Sequence, residues 1–214
     1  MVIDLWDLER YSGKNALLTE KKIITYKELL QEEEQIAGTI GQRSLLFLLC
    51  SNTLASIAGY LACLNHGIVP VMLDSNLEFD LLQNLIQLYR PEYHWMPEKK
   101  ADDYPFYDEI LRLDGYVLLA TREENPFPLH DDLALLMTTS GSTGSPKLVR
   151  LSYENILANT KSIIEYLGID KEERSITNLP MHYVYGLSII NTHLFAGASL
   201  VVTDKTFFQK EFWQ

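Results

Sequence analysis

The chain has 214 residues, 47% of them hydrophobic, which is enough to bury a substantial core and lies between one domain and two. Asp and Glu total 29 against 18 Lys and Arg; the net charge of −11 excludes a broad nucleic-acid surface, which needs clustered basic residues. A small anion site stays open, because a few local donors can hold a phosphate inside an acidic protein.

Residues 1–10 lack the basic start and apolar block of a signal peptide. Thr25-x-x-Glu28 is a capping-box pattern, and Leu29, Leu30, Ile36, Ala37 and Ile40 follow at helical spacing. Residues 45–50 read as a buried strand, and Asn52 as the cap of a helix running to Leu64, with Gly67 as its stop. Residues 68–73 form the next strand. Phe79, Leu82, Leu85, Ile86 and Tyr89 make one helical stripe, ended by Arg90-Pro91, and residues 93–96 a third strand. This β-α-β-α-β order predicts an α/β fold with a mainly parallel sheet flanked by helices on both faces. The apolar stretches at 45–50 and 54–64 are too short and interrupted for a membrane span, so a cytoplasmic location follows by default. Cys50 and Cys63 sit in apolar runs without Cys-x-x-Cys spacing and read as buried thiols. His66, His94, His130 and His193 match no metal spacing, and no metal ligand is assigned.

Residues 97–128 are less regular, with one strand at 116–120 and a charged turn at 121–125. Residues 133–138 and 148–151 are strands, the second entering a helix capped by Ser152. Ile156, Thr160, Ile163, Ile164 and Leu167 share one face of that helix, and Gly168 closes it. Residues 175–178, a helix over 186–195 and residues 198–203 continue the alternation. Phe207, Phe208, Phe212 and Trp213 read as the start of an amphipathic helix, apolar surface that predicts a longer protein and favours a homodimer. Residues 1–130 are taken as the first αβ layer with an N-terminal arm. Residues 131–214 are taken as the phosphate-loop segment and an incomplete second portion of the same large domain.

Between the strands at 133–138 and 148–151 stands Thr138-Thr139-Ser140-Gly141-Ser142-Thr143-Gly144-Ser145-Pro146-Lys147. Gly141 and Gly144 permit positive φ and close backbone approach, so several N–H groups can converge on one anion. Ser140, Ser142 and Thr143 add hydroxyls, Lys147 a charge suited to phosphate oxygens, and Pro146 restricts the backbone just before it. Gly/Ser-rich runs are commonly flexible linkers. The placement between two hydrophobic strands and the Pro-Lys ending favour a phosphate cradle instead. It is not a Walker loop: Lys147 stands three positions after Gly144, and Leu148 follows it.

The segment Thr139 to Lys147 resembles the signature loop of the AMP-forming ligases, which include acyl-CoA synthetases, peptide-synthetase adenylation domains and luciferases. Asp132-Leu133-Ala134-Leu135-Leu136 resembles that family's lead-in strand and Ser152-x-x-Asn155 the following helix start. Leu179-Pro180-Met181 with Tyr185-Gly186-Leu187 resembles the next motif, and Phe195-x-Gly197-Ala198-x-Leu200 its following strand. Ala16-Leu17-Leu18 and Thr25-Tyr26-x-Glu28-Leu29 are similar to the family's start. The resemblance implies the N-terminal part of the adenylate-forming enzyme fold.

It further implies that Thr139, Ser140, Gly141, Ser142, Thr143, Gly144 and Lys147 bind ATP, with Thr143 and Lys147 stabilising phosphate charge. A carboxylic acid would be activated to an acyl-adenylate and passed to coenzyme A or a carrier protein's phosphopantetheine. The Mg²⁺ ligand, the ribose-binding Asp and the mobile C-terminal Lys would follow Gln214, so these 214 residues alone are expected to make no acyl-adenylate. A second reading is a non-catalytic nucleotide- or anion-binding module working with a separate partner. Leu148 replaces a common Gly and Tyr153 a common His. Tyr183 stands where many members have a gating His, and His182 comes one position earlier. Gly186, Tyr183 and His182 are therefore assigned to the substrate pocket. His182 is open between a gate and a buried imidazole bonded to backbone, and Tyr183 between a pocket wall and core packing.

Overall fold

The computed structural model describes residues 6–123, 125–138, 147–205 and 208–213. In chain order its elements are β1 (Asn15–Leu18), β2 (Ile23–Thr25), α1 (Tyr26–Ile40), β3 (Leu45–Cys50), α2 (Leu54–His66), β4 (Val69–Asp74), α3 (Phe79–Tyr89) and β5 (Tyr93–Pro97). Then follow α4 (Glu98–Ala101), β6 (Asp108–Leu113), β7 (Tyr116–Ala120), β8 (Leu133–Thr138), β9 (Leu148–Ser152), α5 (Tyr153–Leu167), β10 (Arg174–Ile176), α6 (Val184–Ala196) and β11 (Ser199–Val201). Short 3-10 turns occupy Leu8–Tyr11 and Lys210–Trp213. The second replaces the amphipathic helix expected there.

A seven-stranded sheet, in the order β6-β7-β5-β3-β4-β8-β9, organises the chain. Its centre, β5-β3-β4-β8, is parallel, and antiparallel strands flank it on both edges. β3 is apolar at every position because both of its faces are covered. Leu46, Leu48 and Cys50 join the core formed with α1 and α2, while Leu45, Phe47 and Leu49 join Leu82, Leu85 and Ile86 of α3 on the other face. The expected layering of helices on both faces therefore holds.

Four-stranded pairing β10-β11-β1-β2 makes a second sheet, in which Leu17 pairs in parallel with Leu200. Tyr26 at the start of α1 donates its hydroxyl to Leu194 O (3.2 Å) and Ala198 O (2.6 Å), tying the two sheets' helices together. Tyr60 of α2 does the same through Asn191 Oδ1 of α6 at 3.0 Å.

Local signals operate as their chemistry requires. Thr25 and Glu28 form a complete capping box on α1, and Ser152 and Asn155 another on α5; Gly41, Gly67, Gly168 and Gly197 end helices with positive φ. Three readings need correction. The cap of α2 is Thr53, whose hydroxyl accepts from Ser56 N–H, because the Asn52 amide is engaged elsewhere. Residues 97–128 hold a hairpin: β6 and β7 meet at Asp114-Gly115, both with positive φ (47° and 81°), as a type I′ turn demands. On α5 the apolar face is buried only at Ile156 and Thr160, and Leu167 is 63% exposed.

Candidate functional site

Parallel register brings three strand ends together. Cys50 of β3 pairs with Asp74 of β4, and Met72 of β4 with Met137 of β8, so these strands finish side by side at the carboxyl edge. In open α/β sheets ligands bind at that edge. From there β8 leads into residues 139–147 and the chain returns as β9, with Thr138 opposite Leu148. Thr139, Ser140, Gly141, Ser142, Thr143 and Gly144, assigned above to ATP, lie outside the described residues. Lys147 is described: its side chain is exposed, one residue before the Thr138–Leu148 pair that closes the hairpin.

A second segment reaches the same edge. Asn52, in the β3–α2 turn, donates through Nδ2 to Thr177 O (2.5 Å) and Leu179 O (3.1 Å). Ser56 Oγ donates to the sulfur of Met181 at 3.1 Å, and Met181 is fully buried. Gly186, in the first turn of α6, has no room for a side chain: a Cβ there would stand 2.3 Å from Pro180 O and 2.8 Å from Leu179 O. The backbone of residues 179–180 thus lies directly on α6, and only glycine permits it.

That packing sets His182 and Tyr183. His182 is 6% exposed, with Nε2 3.9 Å from Asp74 Oδ2, and its Nδ1 has no hydrogen-bond partner among the described residues. Burial pulls its imidazole below the ordinary histidine range, and the Asp74 carboxylate opposes the shift. Asp74 Oδ1 accepts from Asn76 N (2.9 Å) and Asn76 Nδ2 (3.2 Å), which fixes the carboxylate at the end of β4. Tyr183 is 52% exposed, and its ring centroid lies 4.3 Å from that of His182. His182, Tyr183 and Gly186 are therefore brought into one small unit on the edge where the 139–147 loop begins and ends. Asp74 and Asn52 belong to that unit; the sequence marks Asn52 only as a helix cap and does not single out Asp74. Their one signal is a polar residue at, or two positions beyond, the end of an otherwise apolar strand.

A cavity of about 800 Å³ lies elsewhere, among Leu30, Glu33, Glu34, Asn65 and His66. Its position at the C-terminal end of α2 places it toward the opposite, amino edge of the sheet, away from the loop. Among the described residues no cluster of three or more His, Cys, Asp or Glu is arranged to hold a metal, and no helix is long and apolar enough to cross a membrane.

The fold is that of an α/β protein whose parallel strands end together at the carboxyl edge from which residues 139–147 depart. Residues 6–214 match the family model described as AMP-binding enzyme, and the chain belongs to that family. A 2-succinylbenzoate–CoA ligase of Bacillus velezensis is 27% identical over 207 residues, covering 89% of this chain and 41% of the ligase. Bacitracin synthase 2 of Bacillus licheniformis is 27% identical over 156 residues, 70% of this chain and 6% of the synthase. ATP-bound MatB from Rhodopseudomonas palustris superimposes with a TM-score of 0.78 at 23% identity, over 96% of this chain and 46% of MatB. The chain thus spans less than half the length of these relatives.

Proposed function

We propose that this chain is the phosphate-loop part of an AMP-forming acid–thiol ligase. Such an enzyme joins a carboxylic acid to ATP as an acyl-adenylate with release of pyrophosphate, then passes the acyl group to coenzyme A or a phosphopantetheine thiol. One observation supports the reading: the hydroxyl-rich, Lys-terminated sequence lies between β8 and β9, whose Thr138–Leu148 pair stands at the carboxyl end of β8, in a chain that matches the AMP-binding family over residues 6–214.

The chemical difficulty is bringing a carboxylate to a triphosphate, both anionic. Backbone amides and hydroxyls of Thr139, Ser140, Gly141, Ser142, Thr143 and Gly144 would hold the phosphate oxygens, with Lys147 entering from the start of β9. Mg²⁺ would supply further screening of the triphosphate. His182, Tyr183 and Gly186 would form one wall of the path taken by the acyl group and the thiol.

Calorimetric titration of ATP and of pyrophosphate into the chain tests the site. The Thr143→Ala, Lys147→Ala double variant is expected to bind about 10- to 100-fold more weakly, from the loss of charge-assisted hydrogen bonds. Equal affinity of the two proteins would remove the loop from the site. Carboxylate-dependent exchange of pyrophosphate into ATP, measured on the full-length gene product, then separates a ligase from a module that only binds.

A further inference from the structure

His182 is a buried imidazole whose hydrogen-bonding capacity the described residues do not fill. Its Nδ1 has no partner among them, and the 3.9 Å from Nε2 to Asp74 Oδ2 is longer than a direct hydrogen bond though within reach of a bridging water. Buried polar atoms are paired as a rule, because leaving one unpaired costs free energy. Loose packing does not account for this exception. The segment is pinned by Asn52 on two carbonyls, by Ser56 on Met181 and by the contact of Gly186 with residues 179–180.

Asp74 is equally fixed. Asn76 holds Oδ1 through two donors, which leaves Oδ2 as the oxygen nearest the imidazole. A carboxylate on one side of an imidazole favours the tautomer whose N–H faces it, leaving the other nitrogen as an acceptor. We infer that Asp74 is a positioning residue for His182: it holds the imidazole proton on Nε2 and keeps Nδ1 as an acceptor for a hydrogen-bond donor brought by a ligand. Tyr183, half exposed, packs on the imidazole ring from the solvent side of this unit.

For the identity of the donor, though not for the tautomer, this inference rests on the function proposed above. The donor is then the S–H of the acceptor thiol. As sulfur bonds to the acyl carbon, the bond from that carbon to the AMP phosphate oxygen breaks. AMP leaves with the bonding pair, and the thiol proton passes to Nδ1. The imidazolium so formed faces the Asp74 carboxylate.

Long-range ¹H–¹⁵N NMR of the ¹⁵N-histidine-labelled chain reads the tautomer directly, with His182→Gln assigning the signal among the five histidines. The Nε2–H form is expected to exceed the Nδ1–H form by at least about tenfold. Asp74→Asn should reduce that ratio to within about threefold, and Asp74→Glu should restore it. An Nδ1–H form in the wild type, or Asp74→Asn spectra that overlay the wild type, overturns the inference. Titration with pantetheine tests the donor: it should shift the His182 ring nitrogens in the wild type and less in Asp74→Asn. If the tautomer is as stated and pantetheine leaves His182 unmoved, the thiol assignment falls and the Asp74–His182 pair stands.

Discussion

Gly186→Ala is the sharpest test of how the candidate site is held. In an unobstructed helix this change stabilises by about 1 kcal/mol, since Ala is the better helix former. At Gly186 the added Cβ would lie 2.3 Å from Pro180 O, 2.7 Å from Pro180 C and 2.8 Å from Leu179 O. All three atoms are backbone, so no side chain can rotate away. Ordinary contact begins at 3.4 Å, which requires the 179–180 backbone to retreat by about 1 Å. Asn52 holds that backbone at Thr177 O and Leu179 O, and a retreat weakens bonds contributing about 1 kcal/mol each. Overpacking adds about 1–3 kcal/mol, and after the helix gain a net loss of about 1–3 kcal/mol remains. Gly38→Ala is the internal control, because a Cβ at Gly38 in α1 meets nothing within 4 Å and the change should stabilise by about 0.5–1 kcal/mol. Urea denaturation of the two variants and the wild type measures both, with the His182 ring resonances reporting the shift of the segment. A Gly186→Ala protein as stable as the wild type, with His182 resonances unchanged, would refute this account of the packing.

Three further outcomes are expected. Asn52→Ala removes both bonds to the 177–179 backbone and should cost about 2–3 kcal/mol, while Asn52→Asp, which cannot donate, should cost at least as much in the same denaturation assay. Gly59→Ala sets a Cβ 2.4 Å from the Trp95 indole, which donates to Ala55 O at 2.8 Å; stability should fall by about 1–3 kcal/mol with a change in tryptophan emission, and unaltered emission would count against it. His94 is fully buried among Phe47, Tyr104 and Tyr107, and burial lowers its pKa from 6.5 to about 3. The unfolded chain therefore takes up a proton that the folded one refuses. Stability should decline as pH falls from about 6.5 towards 3, by at most about 5 kcal/mol, and His94→Phe should flatten that decline. Parallel pH profiles for the two proteins would show that His94 is not the group responsible.

Legibility of the fold followed how local each signal was. The centre of the large sheet could be read because β3 and β4 are covered on both faces, which demands unbroken apolar runs. The starts of α1 and α5 could be read because a capping box is complete within four residues. The β6–β7 hairpin is hard to read because β6 is an edge strand in which Asp108, Glu109 and Arg112 interrupt the apolar residues, leaving no hydrophobic run longer than Ile110-Leu111. Asp114-Gly115 was its one clear mark. Asn52 was misread as a helix cap for a different reason. Both Asn52 and Thr53 can cap, and the choice was made by carbonyls more than a hundred positions along the chain. The second sheet was out of reach in the same way, since Leu17 pairs with Leu200 and nothing near either residue announces the other.

The candidate site divides along the same line. The 139–147 segment stands out by composition, because glycines, hydroxyls and one ammonium are what a phosphate cradle requires wherever it stands in a fold. Asp74 carries no such mark. It is a single carboxylate after five apolar-strand residues, and it acquires a role only because β4 lies between β3 and β8 in the sheet. That order sets its carboxylate beside a histidine 108 positions later (182 − 74), on a segment anchored to the turn after β3. Parallel pairing is what makes this possible, since it stacks the carboxyl ends of strands from distant parts of the chain along one edge. A sequence reading can find the residues that bind an anion by their own chemistry. Residues that act by holding another residue become visible only once the strand order is known.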